Sequence, residues 1–484
     1  MSLRRRNFLQ TAIGTAAGAL AGLWTPRALA QNVHGATQSD GSRASAVAPR
    51  SGSAGAPVPV TVLDVPKLPW ELDDGVKVFR LIAEPIKAEF VPGRVMDVWG
   101  YNGRNPGPTI EVTEGDRVRI LFENRLPEPT TVHWHGIEVP IEMDGVPAIS
   151  QPLVAPGERF TYQFTLHQNG TFFYHTHMPM AEMLGLLGFF IIHPKQAYQP
   201  VVHKDFGLVL QEWAVLPNNT VPNTLSMEFN WLTFNGKAGP AATPMLVKLG
   251  ERVRIRLINI GMDHYSIHLH GFQFRVTGTE AGRIPESAWY PQNTVLVGVA
   301  QARDIEFDAD RPGDWMLHCH LPHHMMNQMV SMVGPMAHSG PMQTGKGMEE
   351  GMGIMKGHAL SEDNAPGFGR GMGLTTAEKP VTSMVGPSPH AQHGPPGGGN
   401  TRKDRVPGFP QDMLMPMDEE VAKPETFGLP KDWSAALGGM MTLVRVLPPD
   451  KYEEIMTLVK ETESDTTAAR PGAPEPATPS GHRR

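Results

Sequence analysis

Residues 115–120 read Gly-Asp-Arg-Val-Arg-Ile and residues 250–255 read Gly-Glu-Arg-Val-Arg-Ile, so one segment recurs 135 positions later. The same offset separates His-Trp-His-Gly at 133–136 from His-Leu-His-Gly at 268–271. A third match has an offset of 143, between Gly170-to-His177 and Gly313-to-His320, which indicates a loop insertion. Self-similarity at a nearly constant period predicts a repeated domain. We therefore predict two copies of one domain, over residues 58–197 and 200–337.

Each copy contains short runs in which polar and apolar residues alternate, such as Arg252 to Leu257, between turns rich in glycine and proline. Alternation with a period of two is typical of strands with one buried face, and helical patterns are scarce in both copies. The sequence therefore predicts an all-β protein whose two domains are antiparallel sandwiches or barrels.

The segments outside the two copies differ from them in composition. An arginine cluster at 4–6, an apolar stretch at 11–24 and Ala28-Leu29-Ala30 predict a signal peptide over 1–30. The arginines before Phe8-Leu9 resemble a twin-arginine signal, with an ordinary secretory signal as the alternative, so we expect export to the periplasm. Four further segments are predicted: a disordered leader at 31–57, a low-complexity Met/His/Gly-rich segment at 338–405, a C-terminal segment at 406–463 and a disordered tail at 464–484. Within 406–463 we expect two short helices, at 432–446 and 450–461.

Composition excludes several classes of function. The 484 residues include 42 Lys and Arg against 49 Asp and Glu, a net charge of -7, which gives no electrostatic reason to expect a nucleic-acid partner. A hydrophobic content of 40% with 19% charged residues argues against a polytopic membrane protein. The h-region of the signal is too short to span a bilayer, so no membrane anchor is expected. The chain has one cysteine, so it has no intrachain disulfide.

Histidines supply the first sign of function. Each copy carries two His-x-His pairs, and residues i and i+2 of a strand point to the same face. Four pairs at corresponding positions predict convergent imidazoles that could hold several copper, zinc or iron ions. The eight histidines are His133, His135, His175, His177, His268, His270, His318 and His320.

The single cysteine favours copper over the other metals. Cys319 lies between His318 and His320, so on a strand it faces the opposite side. His324 follows five residues after Cys319 and Met329 follows ten residues after it. Thiolate, imidazole and a weak thioether are the components of a blue-copper electron-transfer site. A second metal site therefore backs onto the first.

These motifs resemble those of two-domain multicopper oxidases of the small-laccase type, over residues 58–337. The resemblance implies two cupredoxin-like Greek-key β-barrel domains and about four coppers per chain: one type 1, one type 2 and two type 3. Type 1 copper would take electrons from a small reducing substrate, and the trinuclear type 2/type 3 cluster would reduce O2 to water. The resemblance assigns His133 and His268 to type 2 copper, Cys319, His324 and Met329 to type 1 copper, and six residues to type 3 copper: His135, His175, His177, His270, His318 and His320. Asp144 resembles the acid beside the cluster that positions water and relays protons.

The spacing of the motifs also constrains the architecture. Only 91 positions separate His177 from His268, too few for a third domain of the same size. Thr176, Ala181 and Leu186 stand in the first copy where the second has Cys319, His324 and Met329, so only the second domain can carry type 1 copper. Two-domain members form homotrimers whose clusters lie between domain 1 of one subunit and domain 2 of the next, and we expect a homotrimer here.

One position departs from the family pattern. Tyr265 stands where relatives place a further type 1 histidine. His264 is one residue early and would point away from Cys319 unless a bulge re-aims it, and His323 has the wrong strand parity. Either His264 replaces the missing ligand, or the type 1 site lacks one histidine.

The reductant also stays open at this stage. Nine methionines occur between Met325 and Met355, and they are either part of a low-complexity tail or a thioether surface that collects Cu(I). We predict an exported multicopper oxidase acting on Cu(I) and/or phenols. The alternatives are a periplasmic copper-sequestering protein with weak oxidase activity and, less favoured because of Thr176, a copper nitrite reductase.

Overall fold

A computed structural model describes residues 55–215, 219–227, 229–325 and 416–468. The predicted signal peptide, residues 338–405 and Met329 lie outside these residues. In the first half of the chain the strands are β1 Thr61–Val62, β2 Trp70–Asp73, β3 Val76–Val91, β4 Arg94–Tyr101, β5 Gly107–Thr113, β6 Arg117–Asn124, β7 His133–His135, β8 Arg159–Thr165, β9 Gly170–His175, β10 Leu187–His193 and β11 Lys204–Trp213, with one short helix, α1 Pro179–Met183.

In the described part of the second half the strands are β12 Trp231–Phe234, β13 Met245–Lys248, β14 Arg252–Asn259, β15 Tyr265–Leu269, β16 Phe274–Thr279, β17 Gly282–Arg283, β18 Tyr290–Gln292, β19 Thr294–Val297, β20 Gln301–Asp308, β21 Gly313–Cys319 and β22 Met441–Leu447. A single longer helix, α2 Pro449–Ala468, follows β22. None of the helices in the described parts of the chain is both long and apolar enough to cross a membrane.

Domain 1 is a sandwich of two sheets. One sheet has the order β2-β3-β6-β8 with β4 paired to β3, and the other has the order β5-β10-β9-β7. Inward-facing side chains such as Val118, Ile120 and Trp134 form the core between them. The alternation at 115–120 thus produces the predicted strand β6.

Domain 2 repeats this plan with larger sheets. An eight-stranded sheet contains β11, β14, β20 and β16, and a five-stranded sheet has the order β13-β22-β21-β15-β19. Tyr265, Ile267, Leu317 and Cys319 point into the core between them. The prediction of an all-β protein with two barrel-like domains is confirmed.

Domain 1 packs on the outer surface of the eight-stranded sheet. Phe173 and Phe189 meet Val209 and Ile258 in a shared apolar cluster. Buried polar contacts border it: Thr171 Oγ1 donates to Asp304 Oδ1 at 2.6 Å and accepts from Arg256 Nη1 at 2.6 Å. These contacts fix which surface of domain 2 faces domain 1.

The C-terminal segment differs from the prediction. The expected helix over 432–446 is wrong, because Met441–Leu447 forms β22, a strand with every residue buried. β22 lies between β13 and β21, parallel to the first and antiparallel to the second. Two strand partners satisfy its backbone groups and outweigh local helix propensity. The second expected helix is confirmed as α2, which continues to Ala468, past the predicted start of the disordered tail at 464.

Candidate metal centres

The first histidine group comprises His133, His135, His175 and His177. β7 presents His133 and His135 on one face, and β9 pairs with it so that His133 lies opposite His175. The ring of His133 lies 5.7, 5.4 and 5.5 Å, centroid to centroid, from those of His135, His175 and His177. Ring nitrogens of His133, His135 and His175 all lie within 4.8 Å of one another. The structure thus brings the four predicted residues of domain 1 together.

Hydrogen bonds orient two of these rings. His133 Nδ1 donates to the carbonyl oxygen of Asp144 at 2.6 Å, and His175 Nδ1 donates to that of Thr176 at 2.7 Å. Each bond leaves Nε2 to bind a metal. Burial lowers the pKa of His133 and lowers that of His135 to about 4. The His133 and His135 rings are therefore neutral at pH 7, as metal ligands must be.

Asp144 lies beside this group, as the sequence predicts. Its Oδ1 is 3.4 Å from His133 Nδ1. The next residue, Gly145, has φ +83°, and a Cβ there would stand 1.9 Å from the carbonyl oxygen of Val132. Only glycine allows this close approach, which holds the Asp144 backbone against His133.

The second histidine group comprises His268, His270, His318 and His320. β15 and β21 pair so that His268 lies opposite His318. The centroid of the His268 ring is 4.8, 5.6 and 5.5 Å from those of His270, His318 and His320. His268 Nδ1 donates to the carbonyl oxygen of Asn293 at 2.7 Å, and His318 Nδ1 donates to that of Cys319 at 2.9 Å. The arrangement repeats that of domain 1.

The two groups are separate within one chain. The second group lies on the outer face of the five-stranded sheet, whereas domain 1 packs on the eight-stranded sheet at the opposite side of domain 2. No ring contact or hydrogen bond among the described residues joins a histidine of one group to a histidine of the other. His177, His270 and His320 are exposed. Each group thus keeps imidazoles open to the surface.

The third donor cluster lies on the inner face of β21, the strand whose outer face carries His318. Cys319 points into the domain 2 core, with its Sγ 3.4 Å from Nδ1 of the fully buried His324. Burial raises the pKa of Cys319 to about 11 and lowers that of His324 to about 3. The thiol therefore carries its proton until a metal displaces it.

Tyr265 occupies the position of the expected additional histidine. It is fully buried, and its ring centroid lies 5.4 Å from that of His324. His264 is instead exposed, and its Nδ1 accepts a hydrogen bond from the Val299 backbone N–H at 3.0 Å. The ring of His323 lies beside that of His324. The inner cluster therefore presents a thiol, one imidazole and a phenol.

In domain 1 the corresponding place holds no such donors. Thr176, at the repeat position of Cys319, is buried with its Oγ1 2.7 Å from Oγ1 of Thr130. Two hydroxyl groups that satisfy each other leave no soft ligand for copper.

Two acidic residues near these sites had no signal in the sequence. Glu182 of α1 places Oε2 3.2 Å from His175 Nδ1. Glu212 is buried at the end of β11, where its Oε1 accepts hydrogen bonds from the backbone N–H groups of Met262 and Asp263. Burial raises the pKa of Glu212 to about 8. Both contacts join positions far apart in the chain, so no local motif marks them.

The donor chemistry fits copper. Neutral imidazoles with Nε2 free suit copper, and a thiol 3.4 Å from an imidazole can share one ion with it. Tyr265 does not fit this pattern, because a blue-copper site normally takes two imidazoles and the inner cluster presents one.

Comparison with known proteins gives the same family for both halves of the repeat. Family models described as multicopper oxidase match residues 83–197 and 215–335. The chain is 34% identical over 145 residues to copper resistance protein A of Pseudomonas syringae pv. tomato, covering 30% of this chain and 24% of that protein. It is 29% identical over 273 residues to a probable nitrite reductase-hydroxylamine oxidoreductase fusion protein of Kuenenia stuttgartiensis, covering 53% of this chain and 31% of that protein. The chain thus spans less than a third of the length of these two relatives.

A solved structure is matched over most of its length. The blue copper oxidase from Nitrosomonas europaea is 32% identical, with 52% of this chain and 81% of that chain covered and a TM-score of 0.48. The paired histidine motifs and the two family-model matches agree on one conclusion. This chain belongs to the multicopper oxidase family, and each of its two cupredoxin-like barrels matches one of that family's domains.

Proposed function

We propose that this protein is an exported oxidase that couples one-electron oxidation of Cu(I) or phenols to four-electron reduction of O2 to water. One observation carries the proposal: β21 presents Cys319 to a buried His324 on its inner face and His318 to the second histidine group on its outer face. Copper bound at these two places would supply two kinds of chemistry, acceptance of electrons from the reductant and reduction of O2. The strand itself joins the two places.

The side chains of the chain have distinct roles in this proposal. The eight paired histidines hold the cluster, and Cys319 and His324 hold type 1 copper. The hydrogen bond from His318 Nδ1 to the Cys319 carbonyl oxygen connects the two sites directly. Asp144 lies beside His133 and is placed to position water and pass protons there.

We propose that the cluster forms between subunits of a homotrimer. Each subunit offers two half-sites of four histidines that do not meet within the chain. Joining the first group of one subunit to the second group of the next supplies eight imidazoles, and head-to-tail contacts of this kind close into a ring.

Thioether groups on the outer face of the five-stranded sheet favour Cu(I) as one reductant. Met316 and Met325 pack with Met441 beside Leu443, on the face of the sheet opposite Cys319. Met325 directly follows His324. Thioethers select Cu(I), although apolar packing is their ordinary role, and phenol oxidation is compatible with the same site.

Copper content and oxygen uptake test the function together. We expect about four coppers per chain and oxygen consumption with Cu(I) or a phenol, and loss of both the cluster copper and the oxygen consumption in His270→Ala. Copper binding without turnover would instead indicate a sequestering protein. Reduction of nitrite by the copper-loaded protein under anaerobic conditions would indicate a nitrite reductase.

Export is the remaining part of the proposal. The arginine cluster at 4–6 and the apolar stretch at 11–24 support a periplasmic location through the twin-arginine route. A fusion of residues 1–30 to a reporter that folds in the cytoplasm should reach the periplasm, and Arg5→Lys with Arg6→Lys, the pair before Asn7-Phe8-Leu9, should stop it.

A further inference from the structure

The strand β22 brings a methionine to the inner donor cluster. β22 runs antiparallel to β21, with His318 opposite Met441 and Leu317 opposite Thr442. The next step of this register places Met440 opposite Cys319, and the Cys319 backbone N–H donates to the Met440 carbonyl oxygen at 3.0 Å. Directly opposed residues of an antiparallel pair have Cβ atoms about 5 Å apart on the same face.

The Met440 side chain lies in the same core as Cys319. Met440, Cys319 and Tyr265 are all fully buried members of the domain 2 core. The neighbouring Met441 belongs to a different cluster on the opposite face, where its Sδ accepts a hydrogen bond from the Gly438 backbone N–H at 3.3 Å. Of this methionine pair, only Met440 faces the copper donors.

The Met440 backbone also links the two donor residues. Besides accepting from Cys319, Met440 donates its N–H to the His324 carbonyl oxygen at 2.9 Å. The loop between Cys319 and His324 is therefore held at both ends by one residue of the C-terminal segment, so the position of Met440 relative to both donors is fixed.

We propose that Met440, rather than Met329, is the thioether ligand of the type 1 copper. The proposal rests on the copper site at Cys319 and His324 set out above. A long unbranched side chain opposite Cys319 can reach an ion shared with His324. The site is then built from two stretches of chain that residues 326–415 separate, and the C-terminal segment 416–468 is part of the copper site.

Exchange of the thioether for an amide tests the assignment. In the copper-loaded full-length protein, Met440→Gln should shift the thiolate-to-copper absorption band and lower the type 1 reduction potential, because an amide oxygen stabilises Cu(II). Met440→Leu should raise the potential, because a donor is lost. The matched controls Met329→Gln and Met441→Gln should leave the band and potential as in the wild type. A shift in Met329→Gln with none in Met440→Gln would overturn the proposal.

A second measurement does not depend on variants or on a visible band. Crystals of the copper-loaded wild-type protein, measured at the copper absorption edge, should show an anomalous peak shared by Cys319 Sγ, His324 Nδ1 and Met440 Sδ. A peak without Met440, or no peak at Cys319, would refute the assignment. Oxygen consumption is a separate test. A copper peak shared by Cys319, His324 and Met440 in a protein that consumes no oxygen would reject the oxidase function but support Met440 as a copper ligand.

Discussion

Tyr265 stands where the resemblance to multicopper oxidases predicts a type 1 histidine. A phenol fills the position of an expected imidazole, its hydroxyl group is buried, and within the described residues that group has no hydrogen-bond partner. A buried hydroxyl without a partner costs about 1–3 kcal/mol. In the proposed type 1 site a tyrosine here also supplies no nitrogen donor. Tyr265 therefore lowers stability and, on that proposal, reduces the ligand set at the same point.

Restoring the imidazole should strengthen the type 1 site. We expect Tyr265→His to increase the thiolate-to-copper absorption per chain and to raise the occupancy of type 1 copper, measured by optical and EPR spectra with copper analysis. Tyr265→Phe, which keeps the ring and removes only the hydroxyl, should leave the absorption band as in the wild type. Identical spectra for Tyr265→His and the wild type would show that the phenol position is not at the copper.

At the scale of elements, Glu212 fixes the turn that leads into β15. Its buried carboxyl group accepts the backbone N–H groups of Met262 and Asp263, just before the strand that carries Tyr265 and His268. A Cβ at Gly261 would stand 2.6 Å from Glu212 Oε1, so the turn and the carboxyl group are closely packed. An acid so deeply buried should make stability depend on pH.

Glu212 should destabilise the fold as the pH rises. Its pKa is raised from 4.5 to about 8 by burial, so between these values the native state binds more protons than the unfolded chain. The free energy of unfolding then falls with rising pH, by at most about 1.4 kcal/mol per pH unit from this group. In urea unfolding of the copper-free protein, Glu212→Gln should be more stable relative to wild type at about pH 8 than at about pH 5. The exposed Glu286→Gln should show no such difference, and a parallel result for both variants would count against the prediction.

The elements that could be predicted from the sequence are those that depend on a local pattern or on the internal repeat. The eight histidines could be located because i and i+2 share a face and because both copies carry the same pairs. β22 was mistaken for a helix because the pairing that makes it a strand joins Met441–Leu447 to β13 and β21, far away in the chain. Glu212 and Met440 were missed for the same reason, since their partners are distant in sequence. The position of Met329 lies outside the described residues, so its predicted role stays a prediction.

At the scale of the whole molecule, exposed apolar side chains occur on segments next to both histidine groups. Ile141 and Ile149, on either side of Asp144, are 65% and 78% exposed. Leu296, opposite Ser266 on the strand beside His268, is 57% exposed. Exposed apolar residues close to open metal half-sites are typical of surfaces that another protein chain covers. In the proposed trimer, Ile141, Ile149 and Leu296 would therefore lie in the contact between subunits.

Introducing a charge at this contact should separate the subunits. We expect the wild type to have three times the mass of one chain by light scattering, and Leu296→Asp to become monomeric and lose cluster copper while keeping copper at Cys319. Leu72→Asp, at a 67% exposed position on β2 far from either histidine group in the sheet order, should stay trimeric. A wild-type monomer with full copper content would contradict the trimer.

The insertion of β22 between β13 and β21 also sets the order of events in folding. Met245 pairs with Val444, so this parallel contact must close a loop of almost 200 residues. Loops of this length form slowly and late. Until the ribosome has released β22, the edges of β13 and β21 stay open and Met440 is absent from the neighbourhood of Cys319. On the assignment of Met440 proposed above, the copper centre is completed only after synthesis, and an incompletely synthesised chain cannot acquire a finished electron-entry site.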